Sequence, residues 1–284
     1  MITIEPFLIG LVLIAALTHA TWNALIKTTG DGLCTFATIM GTGAIICLAA
    51  VPFVDFPAPE VLPWLAASTV LHHLYFMFLW YALRHGDLSK AYPVARGASP
   101  ILVAVGAVVL AGEVLAFQST VGLVLASFGI CLFAFEKGLP RQDQLKPFLL
   151  AFVTGIFIAS YTVVDGVGLG ISETPWGYIV WLTIFNGFPM LFYAIFVKHR
   201  IYVEFLKVDG IKIVIGGILA MVGYNIVLYA ISFGNMAHIS ALRETSVLFA
   251  VILGAITLKE KFGPIRWIAA ITIVIGVATM HVSG

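Results

Sequence analysis

Charged residues are scarce in this chain, and their scarcity excludes a water-soluble fold. Only 10% of the 284 residues are charged, whereas 61% are hydrophobic. This balance lies far outside the composition of soluble globular domains. Because a bilayer core offers no partners for the backbone, apolar segments must satisfy their own hydrogen bonds, which helices do. The composition therefore predicts an all-α membrane protein.

Cysteines and chemical motifs are also scarce. The three cysteines all lie inside apolar runs, which favours free thiols over a disulfide framework or a zinc site. The sequence contains no HExxH, GxSxG or Walker motif, so we expect no catalytic residues, cofactor or metal. An intramembrane enzyme is the alternative from another class, with only His19, His72 and His73 as raw material. No basic cluster is present, so no nucleic-acid partner is expected.

What the chain has instead is a series of apolar runs of about 20 residues, the length that crosses a bilayer. Ten such runs are predicted, at 6–26, 33–53, 62–83, 91–111, 117–135, 147–167, 176–197, 211–232, 238–258 and 264–281. The first has no Lys or Arg before it, so we interpret it as an uncleaved helix. Pro100 and Pro189 make helices four and seven candidates for broken pathway helices, or for simple packing kinks.

The positions of the lysines and arginines agree with a count of ten spans. Thirteen of the fifteen lie in or beside odd-numbered loops, and the other two, Arg96 and Arg243, lie inside helices. By the positive-inside rule the odd loops are cytoplasmic and both termini face the periplasm. This pattern predicts a multi-pass protein of the bacterial inner membrane.

One stretch occurs twice, at 81–134 and again at 229–280. Arg96 aligns with Arg243, Ser99 with Ser246, Glu113 with Glu260 and Gly129 with Gly276. Five helices per copy is an odd number, so the second copy must enter the membrane from the opposite side. We predict ten transmembrane helices as two inverted-topology five-helix repeats, at 1–135 and 147–284, joined by a cytoplasmic linker at 136–146.

Polar side chains inside the spans are candidates for a substrate cavity, because placing them in lipid is costly. In helix one, His19, Asn23 and Lys27 lie four residues apart and share a face; interhelical hydrogen bonding, with Lys27 reaching the interface, is the alternative. In helix three, His72 and His73 lie beside aromatic residues, either in a cavity or in packed core. They point about 100° apart, which is poor geometry for a shared metal.

The two arginines inside helices must find carboxylates or carbonyls. We expect Arg243 to pair with Asp165 on the periplasmic side. We expect Arg96 to pair on the cytoplasmic side with an acid of loop one or three, Asp31 or Asp87. Such pairs would be either two gates or two static structural contacts.

Acids are few inside the membrane. Only Asp165 and Glu244 are expected to lie deep in the membrane, and helix one has no acid between Glu5 and Asp31. An obvious central proton-binding carboxylate is therefore missing, which leaves histidines, Glu244 and Asp165 as candidates for ion coupling, or no coupling at all.

Several short motifs are specific as a set: ATWNALIK at 20–27, YALRHGDLSKAYPVARGASP at 81–100, GE at 112–113 and LKE at 258–260, with glycines in helices five and ten. With these motifs the whole chain resembles the drug/metabolite transporter superfamily, in its ten-helix EamA-like branch. Within that branch it is similar to bacterial exporters of aromatic and other amino acids. The resemblance implies a basket-shaped bundle around a central cavity that opens to alternate sides of the membrane.

The resemblance also implies cavity positions, carried over residue by residue. They are His19, Asn23, His72, Tyr75, Phe76, Tyr92, Arg96, Ser99, Tyr224, Asn225 and Ser246. The second repeat departs from the YPVARG pattern and reads ISALRE at 239–244, so Arg243, Glu244 and Asp165 are kept as a possible gate or ion pair.

We therefore predict an exporter of small metabolites, amino acids foremost, that works by alternating access. A drug or other metabolite exporter of the same superfamily is the alternative, although it would be expected to have a central acid. The expected partners are a small-molecule substrate and membrane lipid. Aromatic walls with a few amides, hydroxyls and imidazoles suit a small zwitterion.

Overall fold

A computed structural model gives the structure for residues 6–26, 29, 31–85, 88–136, 145–258 and 263–281, without the side chains of 26, 83–85, 88–92, 254–258 and 281. The first repeat contains α1 (Pro6–Ile26), α2 (Gly32–Leu48), α3 (Leu62–His85), α4 (Leu88–Ala111) and α5 (Phe117–Ala134). The second contains α6 (Leu145–Gly170), α7 (Pro175–Phe192), α8 (His199–Ile231), α9 (Met236–Arg243), α10 (Ser246–Leu258) and α11 (Pro264–His281).

The ten predicted spans are confirmed. Eight helical segments are long and apolar enough to cross a membrane, and two shorter apolar helices, Gly32–Leu48 and Pro264–Met280, complete the set. Large apolar side chains point outward along them, such as Val109 at 73% and Phe196 at 76% exposure. The ninth span consists of two helices, α9 and α10, with two residues between them. The predicted linker lies largely at 137–144, outside the described residues.

The structure differs from the prediction between spans seven and eight. Residues 198–210 carry five charges and were expected to form a loop, but residues 199–210 form the first turns of the 33-residue α8. Four of these charged residues, Lys198, Arg200, Glu204 and Lys207, are exposed, while Tyr202 and Phe205 are buried against α2. The Tyr202 hydroxyl lies 3.2 Å from Thr38 Oγ1. An amphipathic helix, rather than a loop, satisfies both sides.

The prolines do not break the helices in which they lie. Helix α4 continues through Pro93 and Pro100, and α7 continues through Pro189 before widening into a π-helical stretch, Tyr193–Val197. Local widening is a usual way to accommodate lost backbone hydrogen bonds. Helices four and seven are therefore continuous, and the broken span is the ninth.

The two repeats interlock instead of standing side by side. Helix α6 packs against α3 and α4 of the first repeat, and α1 packs in the corresponding way against α8, α9 and α10 of the second. The symmetry-related pairs α2 with α7 and α5 with α11 pack on each other. Each half of the bundle is thus built from both repeats, as inverted repeats related by a pseudo-two-fold axis allow.

Small residues bring α5 and α11 into backbone contact. A Cβ atom at Gly122 would lie 2.5 Å from the Gly276 carbonyl oxygen, and one at Gly129 would lie 3.0 Å from the Ala269 carbonyl oxygen. Gly122 and Ala269 occupy aligned positions in the two repeats, as do Gly129 and Gly276. The close approach is therefore itself symmetric, and it is the small-residue packing expected between helices in lipid.

Replacing Gly122 with alanine should lower the free energy of unfolding by about 1–3 kcal/mol, because the new methyl group meets backbone that cannot move aside locally. Unfolding of the purified protein in mixed micelles with rising SDS measures this. Gly10→Ala is the matched control, since a Cβ at Gly10 has nothing within 4 Å, and it should stay within about 0.5 kcal/mol of the parent. Equal losses in both variants would contradict close packing of α5 on α11.

Candidate functional site

The ninth span is broken in the middle of the bundle. Helix α9 ends at Arg243 and α10 begins at Ser246. The Thr245 hydroxyl donates to the Leu242 carbonyl at 2.7 Å, and the Glu244 and Thr245 amides make tight bonds to the carbonyls three residues back. Such local bonds compete with helix continuation. The aligned residues of the first repeat, Gly97 and Ala98, have no such side chain and stay helical.

A buried cluster of two arginines and one glutamate lies at this break. Glu244 Oε2 is 2.7 Å from Arg96 Nε, and Glu244 Oε1 is 3.5 Å from Arg243 Nη2. Arg96 Nη2 also donates to Ser246 Oγ at 3.4 Å. All four residues are at most 4% exposed. The N-terminus of α10, the positive end of that helix, adjoins the cluster and adds to its cationic character.

Glu244, the partner that the structure gives to both arginines, was not the partner expected for either of them. Arg96 pairs with Glu244 from the other repeat, while Asp31 instead caps α2 by accepting from the Cys34 amide at 2.9 Å. The other expected partner, Asp87, lies outside the described residues. The two arginines meet at one carboxylate, that of Glu244, which lies at the break in the ninth span.

Asp165 lies in a separate buried pocket of hydroxyl groups. It is fully buried; the Tyr178 hydroxyl donates to Oδ1 at 2.9 Å and the Tyr224 hydroxyl donates to Oδ2 at 2.6 Å. The expected ion pair with Arg243 is replaced by hydrogen bonds from hydroxyl groups, that of Ser68 among them, although Arg243 remains an electrostatic neighbour. Tyr224 was predicted as a site residue, whereas Tyr178 was not, because a tyrosine in an apolar run has no distinguishing sequence signal.

Aromatic rings lie near these charges. His72 stacks on Tyr161 with ring centroids 3.9 Å apart and meets Tyr224 edge-on at 5.4 Å. Tyr75 lies 5.7 Å from Tyr161 and 4.7 Å from Phe76. Tyr161 was missed by the sequence analysis, although its position one turn before Asp165 on α6 could have suggested it.

Of the remaining predicted residues, some lie near the arginines, Asn225 lies elsewhere, and the side chains of two are outside the described part of the chain. Asn23 donates to the His19 carbonyl at 2.8 Å, and His19 is an electrostatic neighbour of Arg96 and Arg243. Asn225 instead accepts from the Thr183 hydroxyl at 3.2 Å, at the contact between α8 and α7. Ser99 is fully buried one turn beyond Arg96. The Tyr92 side chain and all of Lys27 lie outside the described part of the chain.

The GE motif at 112–113 positions the helix that carries Arg243. Gly112 adopts a positive φ of 65°, and the Glu113 amide bonds back to the Ala107 carbonyl at 3.1 Å, which ends α4 in a tight turn. Glu113 Oε1 then accepts from the Met236 amide at the N-terminus of α9, at 2.8 Å. Burial raises the pKa of the Glu113 carboxyl, while the Met236 and Ala237 amides lower it.

Comparisons with known proteins agree with this architecture. The model of the EamA-like transporter family matches residues 6–135 and 145–281. A solved crystal structure covers 97% of this chain and 99% of its own, with a TM-score of 0.74 and 16% sequence identity; at that identity the likeness is one of fold. The search of curated proteins found no match. Since the family model matches both repeats over nearly their full length, the chain belongs to the EamA-like transporter family, a group of membrane transporters.

Proposed function

We propose that the protein exports amino acids across the bacterial inner membrane by alternating access of its two inverted repeats. One observation supports this proposal: a buried cationic cluster and a separate buried carboxylate both lie near aromatic rings. The cationic cluster is Arg96, Arg243 and Glu244, and the separate carboxylate is Asp165. An amino acid has matching groups: a carboxylate, an ammonium and a side chain.

The charges of the site favour a ligand that is neutral overall. Two arginines balance Glu244 and Asp165, so the buried groups sum to zero. A bare cation or anion would leave an uncompensated charge in a medium of low polarity, which is expensive. A zwitterion adds one charge of each sign and keeps the balance. We therefore assign the substrate carboxylate to the arginine side and the substrate ammonium to Asp165.

The rings account for the third part of the substrate. His72, Tyr75, Phe76 and Tyr161 form a connected aromatic surface through the contacts given above. Such a surface gains free energy by covering an apolar or aromatic side chain. This supports neutral amino acids with large apolar side chains over small polar ones. The export direction rests on the resemblance to bacterial amino-acid exporters.

Counterflow in proteoliposomes tests the proposal. Vesicles are loaded with unlabelled phenylalanine and offered the labelled compound, with and without an imposed pH gradient. Phenylethylamine and phenylpropionate, which each lack one charged end, should compete at least about tenfold less well, since each leaves one buried charge unanswered. If no amino acid exchanges, the substrate is a different metabolite or a drug.

A further inference from the structure

The arginine cluster contains one more positive than negative charge. The short contact between Arg96 Nε and Glu244 Oε2, at 2.7 Å, has the length of a charge-assisted hydrogen bond. Arg243 lies farther away, at 3.5 Å from the same carboxylate. One glutamate thus serves two arginines and neutralises only one of them.

Arg243 is the arginine that is left with binding capacity. Its side chain is 5% exposed, its Nε atom has no hydrogen-bond acceptor among the described residues, and its Nη2 atom has only the 3.5 Å contact with Glu244. The Ser99 and Ser240 hydroxyls, one turn from Arg96 and Arg243 respectively, are fully buried and likewise lack a partner there. Buried donors without acceptors are costly, and a carboxylate from outside the chain would satisfy them.

We propose that Glu244 sets the charge of the ligand that this cluster accepts, by limiting it to a group with a single carboxylate. This inference rests on the proposed function and deepens it. Glu244 occupies one arginine as an internal carboxylate, and the substrate takes the other. Removing the glutamate charge should raise the capacity of the cluster to two carboxylates, and removing the Arg243 charge should lower it to none.

Glutamine and glutamate provide the test, because they have nearly the same size and differ by one negative charge. In wild type, glutamine should compete with labelled phenylalanine in counterflow better than glutamate does. In Glu244→Gln the glutamate-to-glutamine preference should rise by about tenfold or more, because one buried negative charge has been removed. Glu136→Gln, which alters the partly exposed pair with Arg266, is the matched control and should leave the preference unchanged.

A second variant keeps the test decisive if Glu244→Gln does not fold. Arg243→Gln leaves the closer Arg96–Glu244 pair in place and removes the excess charge. We expect the apparent affinity of this variant for carboxylate ligands to fall by about tenfold or more, while competition by phenylethylamine is not weakened. An unchanged charge preference in the variants that elute as folded protein would overturn the inference.

A binding measurement separates this inference from the transport proposal. Thermal stabilisation of the purified protein is compared for phenylacetate, with one carboxylate, and phenylsuccinate, with two. Wild type should be stabilised more by phenylacetate and Glu244→Gln more by phenylsuccinate. If this reversal occurs but no amino acid exchanges, the proposed function fails and the role of Glu244 stands. If amino acids exchange and neither assay shifts, the role of Glu244 fails alone.

Discussion

Replacing Arg96 with methionine should lower the free energy of unfolding by about 3–5 kcal/mol, because it leaves the Glu244 charge buried with only a distant partner. Glu244 is fully buried, and its contact with Arg243 is 3.5 Å long against 2.7 Å for Arg96. The remaining pair cannot replace the lost bond without moving α9. Unfolding in mixed micelles with rising SDS gives the measurement.

Two further variants identify the cause of the loss. Arg266→Met breaks a similar contact of 2.8 Å with Glu136, but both side chains are 22–25% exposed, so it should cost no more than about 1 kcal/mol. A triple variant with methionine at Arg96, Arg243 and Glu244 should recover most of the stability, because replacing a whole buried ionic cluster with apolar groups is often neutral. The triple variant should still fail to exchange amino acids. A single Arg96→Met variant as stable as wild type would argue against the buried pair.

The spans and the repeat were predictable because they depend on properties that each residue has alone. A run of about 20 apolar residues crosses a bilayer whatever packs beside it, and Arg96 and Arg243 marked the alignment of the two copies. The helical start of α8 was missed for the opposite reason: its charges were interpreted as a loop, although Tyr202 and Phe205 lie three residues apart and give it a buried face.

Contacts in the site were less predictable, because they depend on how helices rotate against one another. The sequence identified Arg96, Arg243, Asp165 and Glu244 as the deep charges, but it paired Arg243 with Asp165 and did not pair Arg96 with Glu244. Glu244, which both arginines contact, lies in the two-residue break between α9 and α10. The prolines in α4 and α7 suggested breaks elsewhere; the polar run Arg243–Ser246 in an apolar span was the better signal.

Asp165 gives the sharpest test of how the site uses its two opposite charges. If its carboxylate meets the substrate ammonium, Asp165→Asn should weaken exchange of phenylalanine by about 100-fold, since an ammonium within about 4 Å loses its counter-charge. Competition by phenylpropionate, which has no ammonium, should not weaken, because the asparagine leaves the buried groups with one excess positive charge. The ratio of the two apparent affinities is the measurement, and its expected change cannot come from a general loss of folded protein.

Asp31→Asn is the matched control, because asparagine also caps a helix well and Asp31 lies at the start of α2. If Asp165→Asn weakens both compounds equally, the carboxylate only anchors Tyr178 and Tyr224, and the ammonium must bind elsewhere.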